Sequence, residues 1–243
     1  MGHELWNSQL PFPKDTPALR RDIIDTARAL PLKGLTRGTS GNVSARTVDG
    51  FLVTPSGIPY ADLSEDLIVA MDLEGTYSGD TLPSSEWRMH MDIYRAKPDA
   101  GAVVHCHSPR ATALACLNRG IPAFHYMVAV AGGDRIDCAP YATFGTAALS
   151  QVMIAALGER SACLLANHGQ IACAPTLKKA LGVAEGVEEL ADQYLSALSV
   201  GEPDILGDAE MTEILRKFKN YGKQPGEMDA AAGAAFDLPV RKG

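Results

Sequence analysis

The stretch A-V-V-H-C-H-S-P, residues 102–109, places two histidines one residue apart where a short apolar run ends. Such a run predicts a central strand, in which successive side chains point to opposite faces of the sheet. His105 and His107 are therefore expected on one face and Cys106 on the other. Two imidazoles would then share a small volume, although histidines at a strand end can also serve only as hydrogen-bonding partners of their neighbours.

A second apolar run, A-C-L-L-A at residues 162–166, is followed by Asn167-His168-Gly169. Alone, His168 is more typical of a loop than of a metal site. Together with His105 and His107, it gives three neutral imidazoles at strand ends. Three such ligands with an open fourth position are typical of a catalytic zinc site. Imidazole also binds neighbouring divalent metals, so the pattern leaves the identity of the metal open.

The segment L-P-S-S-E-W-R-M-H, residues 82–90, predicts the start of a helix with two serines and Glu86 in its first turn. Hydroxyls and free backbone N–H groups at a helix start can bind phosphate. For this segment alone, the simpler interpretation is favoured, in which Glu86 only complements the helix dipole. Two small polar loops, at residues 39–44 and 54–57, can also expose amides to an anion, yet their residue types are common in turns.

The 243 residues, of which 46 % are hydrophobic, are enough for one compact core. Periodicity and capping residues predict helices at about 17–30, 85–96, 109–118, 176–199 and 210–220, and strands at about 51–54, 102–104 and 162–166. We expect one domain at residues 1–222 and a weakly ordered tail at 223–243, because the end of the chain is rich in Gly, Ala and Pro.

Composition argues against several classes of partner. A net charge of −7 without a sustained basic patch disfavours nucleic-acid binding. No apolar run approaches the roughly 20 residues needed to cross a bilayer, so no membrane association is expected. The N-terminus lacks the features of a secretion signal, which predicts a cytoplasmic protein. The five cysteines are odd in number and lie in apolar surroundings, a pattern that predicts buried free thiols.

Seven motifs, taken together, carry a specific resemblance. They are G-T-S-G-N-V-S, T-P-S-G-I-P-Y, L-P-S-S-E-W-R-M-H, A-V-V-H-C-H, I-P-A-F-H-Y-M, A-P-Y-A-T-F-G-T and N-H-G-Q-I-A-C, in this order. In these motifs the chain resembles the class II aldolase and adducin family over residues 16–222. The resemblance implies a single three-layer α/β domain whose central, mainly antiparallel sheet is flanked by helices on both faces. It also implies a homotetramer with active sites between subunits.

The resemblance assigns roles to individual residues. It makes His105, His107, His168 and Glu86 the ligands of one Zn²⁺ per subunit, with Glu86 also acting as acid and base. The positions implied to bind the substrate phosphate are Asn42, Ser56, Gly57, Ser84 and Ser85. Tyr126 matches a tyrosine that reaches the active site of the neighbouring subunit, and Tyr221 matches a second one near the C-terminal end. His90 and His125 match no ligand position and are interpreted as structural.

The implied activity is the reversible cleavage of a ketose 1-phosphate, of the L-fuculose 1-phosphate type, to dihydroxyacetone phosphate and an aldehyde. Three alternatives stay open. The first is an aldolase for 5-deoxyribulose or 5-methylthioribulose 1-phosphate, which would differ only in the aldehyde released. The second is L-ribulose-5-phosphate 4-epimerase, although its pattern has an aspartate where this chain has Glu86. The third is an adducin-like interaction module, which would lack the metal ligands.

Overall fold

The computed structural model describes residues 12–224 and 227–229. Its helices are α1 (Pro17–Leu32), α2 (Trp87–Ala96), α3 (Pro109–Cys116), α4 (Ala147–Leu157), α5 (Leu177–Leu198) and α6 (Asp208–Phe218). Its strands are β1 (Asn42–Thr47), β2 (Gly50–Val53), β3 (Val69–Met71), β4 (Tyr77–Ser78), β5 (Ala102–Cys106), β6 (Cys138–Ala139), β7 (Ala162–Leu165) and β8 (Gly169–Ala174). Short 3-10 helices lie at Tyr60–Asp62, Glu65–Leu67 and Tyr126–Ala131. Within this part of the chain, no helix is both long and apolar enough to span a membrane.

The strands form one sheet in the order β4-β3-β2-β1-β5-β8-β7-β6. Neighbouring strands are antiparallel, except that β6 and β7 are parallel. The predicted central position of the histidine strand is confirmed, because β5 lies between β1 and β8. Asn42 of β1 faces His105, and Gln170 of β8 faces Cys106. These pairings bring three distant parts of the sequence to one end of the sheet centre.

Helices cover both faces of the sheet. The core on one face joins α1, α3 and α5, through residues such as Ile23, Leu114 and Val187. The core on the other face joins α2 and α4, through Met91 and Met153. The predicted three-layer architecture is therefore confirmed.

The side chains of β5 alternate between these two cores. Val104 and Cys106 belong to the core of α1, α3 and α5, whereas Val103 belongs to the core of α2 and α4. Cys106 therefore points away from the face that Val103 and His105 share by alternation, as the sequence predicts.

Two helices begin directly after a capping threonine. Thr16 Oγ1 accepts a hydrogen bond from Leu19 N at 3.2 Å, with Pro17 as the first residue of α1. Thr176 caps α5 in the same way. The hydroxyl of each threonine satisfies a backbone N–H that has no partner inside its helix.

Some expectations are wrong in detail. Helix α2 begins at Trp87 rather than Ser85, because Trp87 N donates to Ser84 O and the intervening residues form a turn. Helix α3 ends at Cys116, two residues before Asn118, which has a left-handed backbone (φ 51°). Cys116 is exposed and Cys138 half-buried, so only Cys106, Cys163 and Cys173 match the expected burial, although all five thiols are free. The predicted tail at 223–243 lies largely outside the described residues, so the boundary near 222 stays a prediction.

Candidate active site

Glu86, His105, His107 and His168 form one cluster whose potential ligand atoms all lie within 4.8 Å of one another. His105 Nε2 lies 3.0 Å from His107 Nε2 and 3.1 Å from Glu86 Oε2. His168 Nε2 lies 3.0 Å from Glu86 Oε1. The three imidazole rings meet edge to face, with centroids 4.8 to 4.9 Å apart. The structure thus brings together the four residues that the sequence predicts as metal ligands.

The cluster passes a test of fit to a divalent metal. His105 Nδ1 lies 2.8 Å from Gln170 O and donates to it in the neutral ring, so the Nε2 lone pair faces the cluster. Glu86 Oε1 is buried and accepts no hydrogen bond, although His168 Nε2 is close to it. Lone pairs facing one another without a proton are unfavourable, and a cation between them removes the conflict. Ligand atoms of a tetrahedral zinc site stand roughly 3.3 Å apart, close to the spacings found.

Electrostatics favour the protonation states that a metal needs at Glu86 and His107. Burial alone would raise the pKa of Glu86, but the His105 and His168 imidazoles outweigh it and hold that pKa well below its usual range. Burial, followed by the charges of the other two imidazoles, lowers the pKa of His107 to about 4. Against the effect of burial, Glu86 raises the pKa of His105. Glu86 and His107 are thus held in the forms that bind a cation, and a metal ion would replace the attraction that raises the pKa of His105.

Close backbone packing sets the positions of the ligands. His168 follows Asn167, which has a left-handed backbone (φ 54°) and donates its N–H to Ala115 O at 3.1 Å. A Cβ on Gly169 would lie 2.5 Å from Cys106 O and 2.9 Å from His107 Cδ2. Only glycine therefore allows β8 to start this close to the His107 ring.

A cavity of about 310 Å³ opens beside the cluster. Its lining includes Glu86, His107 and His168 and all five residues implied to bind phosphate, namely Asn42, Ser56, Gly57, Ser84 and Ser85. The structure therefore brings together three polar segments that are far apart in the sequence. The volume is at the small end of the range for ligand pockets, roughly 300–1,000 Å³.

Several residues that line this cavity were not predicted as site residues, namely Tyr141, Ala142, Phe144 and Asn167. Thr39, Ser40 and Gly41 also line it, and they belong to the polar loop at 39–44 that the sequence indicated only as able to expose amides. Tyr141 and Phe144 are 63 % and 66 % exposed, which is unusual for large aromatic residues beside a polar cavity. The motif A-P-Y-A-T-F-G-T contains both residues, but nothing in its residue types indicates a site.

Asn42 lines the cavity and also contacts the cluster of potential metal ligands directly. Its Nδ2 donates to Glu86 Oε2 at 3.0 Å, and the residue is 3 % exposed. This contact is not predicted by the sequence, because Asn42 stands 44 residues from Glu86 and they meet only when β1 pairs with β5 beside the start of α2.

Tyr126 and Tyr221 do not line the cavity in the described chain. They are 45 % and 53 % exposed, and both lie against Phe218. The ring centroids of Phe218 and Tyr221 are 5.0 Å apart in a stacked arrangement. A catalytic role for either tyrosine would require the site of another subunit, and that role stays a prediction.

The two remaining predicted structural histidines differ from each other. His125 Nδ1 accepts a hydrogen bond from Met127 N at 3.1 Å, which caps the 3-10 helix at Tyr126–Ala131. His90 is fully buried and makes hydrogen bonds with Asn42 and Ser44. Burial, followed by the charge of His105, lowers the pKa of His90 to about 3, so the ring is neutral at neutral pH.

Three imidazoles and a carboxylate beside a polar cavity define a metal-binding enzyme centre with room for substrate. Comparison with known sequences gives the family. Residues 21–195 match the profile of the Class II Aldolase and Adducin N-terminal domain, and the chain belongs to this family. The resemblance seen in the motifs is thereby confirmed.

Individual relatives are similar over most of their length. The chain is 55 % identical over 211 residues to a 5-methylthioribulose-1-phosphate/5-deoxyribulose-1-phosphate aldolase of Rhodospirillum rubrum, covering 87 % of this chain and 96 % of that one. It is 53 % identical over 205 residues to the L-fuculose phosphate aldolase of Escherichia coli K12, covering 84 % and 95 %. A solved L-fuculose 1-phosphate aldolase superimposes with a TM-score of 0.82 at 41 % identity, covering 85 % and 98 %. The protein is therefore an aldolase, a carbon–carbon lyase.

Proposed function

We propose that the chain is a zinc-dependent aldolase that reversibly cleaves a ketose 1-phosphate to dihydroxyacetone phosphate and an aldehyde. The observation that carries the proposal is the position of the metal cluster, which opens onto a cavity lined by all five residues implied to bind phosphate. One cavity can therefore hold a phosphate at one end and present a carbonyl to the cluster at the other.

His105, His107, His168 and Glu86 would hold the metal. A divalent metal bound there supplies Lewis-acid polarisation of a substrate carbonyl. Glu86 is held as a carboxylate by the neighbouring imidazoles, so it can accept a proton. In the condensation direction it removes a proton from the carbon next to the carbonyl of dihydroxyacetone phosphate, and in the cleavage direction it returns that proton. We propose zinc as this metal, because three histidines with an open position are typical of a catalytic zinc site.

Phosphate binding would rest on neutral groups. No lysine or arginine is found among the described residues that line the cavity, so the anion would be held by hydroxyls and backbone N–H groups. Ser84 and Ser85 stand just before α2, where the helix dipole favours negative charge. Ser56 and Gly57 lie beside these serines, because Ser56 N donates to Leu82 O and Ser84 N donates to Thr54 O. Gly57 has a left-handed backbone (φ 72°) that a residue with a side chain rarely adopts.

The complete site would include a neighbouring subunit in a homotetramer. Tyr126 and Tyr221 are exposed beside Phe218, and neither of them lines the cavity of its own chain. In the proposed assembly, Tyr126 of one subunit exchanges a proton with the substrate C4 oxygen in the site of the next, and Tyr221 lies close to the same substrate. A cytoplasmic location remains the prediction of the sequence.

The natural aldehyde distinguishes the two substrate hypotheses. The relatives include aldolases named for L-fuculose phosphate and for 5-methylthioribulose and 5-deoxyribulose 1-phosphates, at similar identity. These substrates release lactaldehyde, methylthioacetaldehyde and acetaldehyde, respectively. Epimerase activity is disfavoured because Glu86 stands where the epimerase pattern has an aspartate, and an adducin-like module is disfavoured because all four ligand residues are in place.

The test is an aldol assay with the zinc-loaded protein. Dihydroxyacetone phosphate is supplied with lactaldehyde, methylthioacetaldehyde, acetaldehyde or glycolaldehyde, and kcat/KM is ranked. The control is a variant with alanine at His105, His107 and His168, whose metal content is measured in parallel. We expect condensation with at least one aldehyde by the parent and no tight metal in the variant. Absence of condensation with every aldehyde would overturn the activity, and one metal per chain in the variant would overturn the ligand assignment.

A further inference from the structure

A continuous chain of buried hydrogen bonds runs from the core to the candidate catalytic carboxylate. The Tyr94 hydroxyl lies 2.6 Å from Ser44 Oγ, which lies 2.6 Å from His90 Nδ1. His90 Nε2 lies 2.5 Å from Asn42 Oδ1, and Asn42 Nδ2 donates to Glu86 Oε2 at 3.0 Å. All five residues are between 0 and 7 % exposed. Four of them lie outside the metal cluster.

The direction of every hydrogen bond in this chain follows from its last member. An ionised carboxylate only accepts hydrogen bonds, so Asn42 must turn its NH₂ group toward Glu86 and its oxygen toward His90. His90 must then carry its proton on Nε2. A neutral His90 accepts on Nδ1, so Ser44 donates to it, and the Ser44 oxygen accepts from Tyr94. Four donors therefore point in series toward Glu86.

The chain gives His90 a role beyond core packing. If the Asn42 amide rotated by half a turn, its oxygen would face the Glu86 carboxylate and repel it. The Nε2–H of His90 opposes that rotation, because it needs the Asn42 oxygen as its acceptor. Glu86 is the residue that precedes α2, and His90 follows it by about one helical turn, so the start of one helix positions both residues. The four residues that precede Glu86 in this network all have hydrogen-bond partners, and a buried network satisfied in this way fixes geometry.

We infer that His90 is a positioning residue that holds Asn42 in the orientation that binds and orients Glu86. The inference rests on the proposed function, because it gives Glu86 a neighbour that keeps the carboxylate placed for both metal binding and proton transfer. The structural interpretation of His90 from the sequence is thereby extended: the residue is buried, and its polar atoms act on the site through Asn42.

The first test is independent of catalysis. Neutron diffraction from crystals of the deuterium-exchanged, zinc-loaded protein locates deuterium on His90 and on Asn42. We expect deuterium on His90 Nε2 and none on Nδ1, with the Asn42 ND₂ group facing Glu86. Deuterium on Nδ1, or an Asn42 oxygen facing Glu86, would overturn the inference. The positions of these deuterium atoms do not depend on whether the protein is an aldolase. Failure of the inference about His90 can therefore be told apart from failure of the proposed activity.

The second test uses a matched pair of variants. In His90→Gln, the amide nitrogen can take the place of Nε2 and keep the donor to Asn42. In His90→Asn, the shorter amide reaches only the place of Nδ1, so this donor is lost. We expect zinc affinity, measured by chelator competition, and kcat at saturating zinc to fall about 10-fold or more in His90→Asn. In His90→Gln, zinc affinity and kcat should each stay within about 3-fold of the parent values. The KM for dihydroxyacetone phosphate should change little.

A stability control separates positioning from general loosening of α2. Ser150 of α4 is buried and donates to Asp92 Oδ2 of α2 at 2.6 Å, away from the chain of hydrogen bonds. Ser150→Ala should lower the melting temperature without lowering zinc affinity. Equal losses in His90→Gln and His90→Asn, or a comparable loss of zinc affinity in Ser150→Ala, would show that His90 acts only through stability.

Discussion

Gly169→Ala tests whether the metal ligands depend on close backbone packing between β5 and β8. The added Cβ would stand 2.5 Å from Cys106 O and 2.9 Å from His107 Cδ2. Ordinary van der Waals contact begins at 3.4 Å, so the overlap with the Cys106 carbonyl is about 0.9 Å. The Cys106 oxygen is backbone in the sheet centre, so it cannot move aside as a flexible side chain can.

The size of this overlap sets the expected losses of stability and of zinc affinity. Forcing an extra carbon into a well-packed core costs about 1–3 kcal/mol, which corresponds to a fall of roughly 2–12 °C in the melting temperature of the metal-free protein. Metal sites keep ligand distances within about 0.2 Å, a tolerance smaller than the displacement needed at His107. We therefore expect zinc affinity to fall about 10- to 100-fold, as for other changes that reorient a metal ligand.

The assay combines thermal unfolding with chelator competition for zinc. Gly182→Ala is the matched control, because Gly182 lies in α5 with nothing within 4 Å of its added Cβ. Alanine is favoured over glycine inside a helix, so this control should stabilise the protein by about 0.4–1 kcal/mol and leave zinc affinity unchanged. Zinc affinity within twofold of the parent in Gly169→Ala would refute the packing argument.

Three further predictions concern the carboxylate, the assembly and the thiols. Glu86→Gln should lower kcat about 10²-fold or more, and near-normal proton exchange from dihydroxyacetone phosphate in this variant would contradict its role as base. Inactive Glu86→Gln and Tyr126→Phe chains, denatured and reassembled together, should recover partial activity, because some interfaces pair an intact Glu86 with an intact Tyr126; no recovery at any mixing ratio would exclude a shared site. A maleimide should label Cys116 of the native protein first, since Cys116 is exposed whereas burial raises the pKa of the Cys106 thiol to about 12. Unchanged fast labelling in Cys116→Ser would disprove this assignment.

The sequence predicts those parts of the fold in which residue type and environment agree. The apolar runs of β5 and β7 form fully buried strands, and the ligand histidines lie at or just beyond their ends. Threonine caps mark the starts of α1 and α5, because the cap acts locally and needs no tertiary contact. The grouping of the three histidines is predictable for a related reason, since each lies at or near the end of a buried strand, whereas Glu86 joins the predicted ligand set only through the family resemblance.

The sequence misleads where a buried residue is polar. The run N-V-S-A-R-T of β1 is typical of a loop, yet Asn42 and Ser44 are buried. Their polar atoms are satisfied by His90, Tyr94 and Glu86, which lie 44 to 50 residues away. Such partners are invisible to periodicity, because burial of a polar group depends on contacts that exist only in the fold.

Other elements give no sharp local signal. Helix α4 reads A-A-L-S-Q-V-M-I-A-A-L, with small and apolar residues on most of its surface, so the amphipathic pattern that marks a helix is weak. Strand β8 begins with Gly169 directly after a histidine loop, and this start is typical of a turn. The predicted roles of Tyr126 and Tyr221 involve a second chain, so neither periodicity nor the fold of one chain can decide them.

The central pairing of β5 with β1 and β8 has a consequence for the order of folding events. Residues 42 and 105 are neighbours across one strand pair, and residues 102 and 174 across the next. Closing such long loops is slow, because chain entropy is lost before the contacts form. The four ligand residues, spread from 86 to 168, meet only after both pairings exist. The ion would therefore arrive late during refolding and would leave the folding rate almost unchanged. The metal ion would instead slow unfolding, because its ligands must separate before the sheet centre can open. Loss of the metal and opening of the sheet centre would then be one slow event.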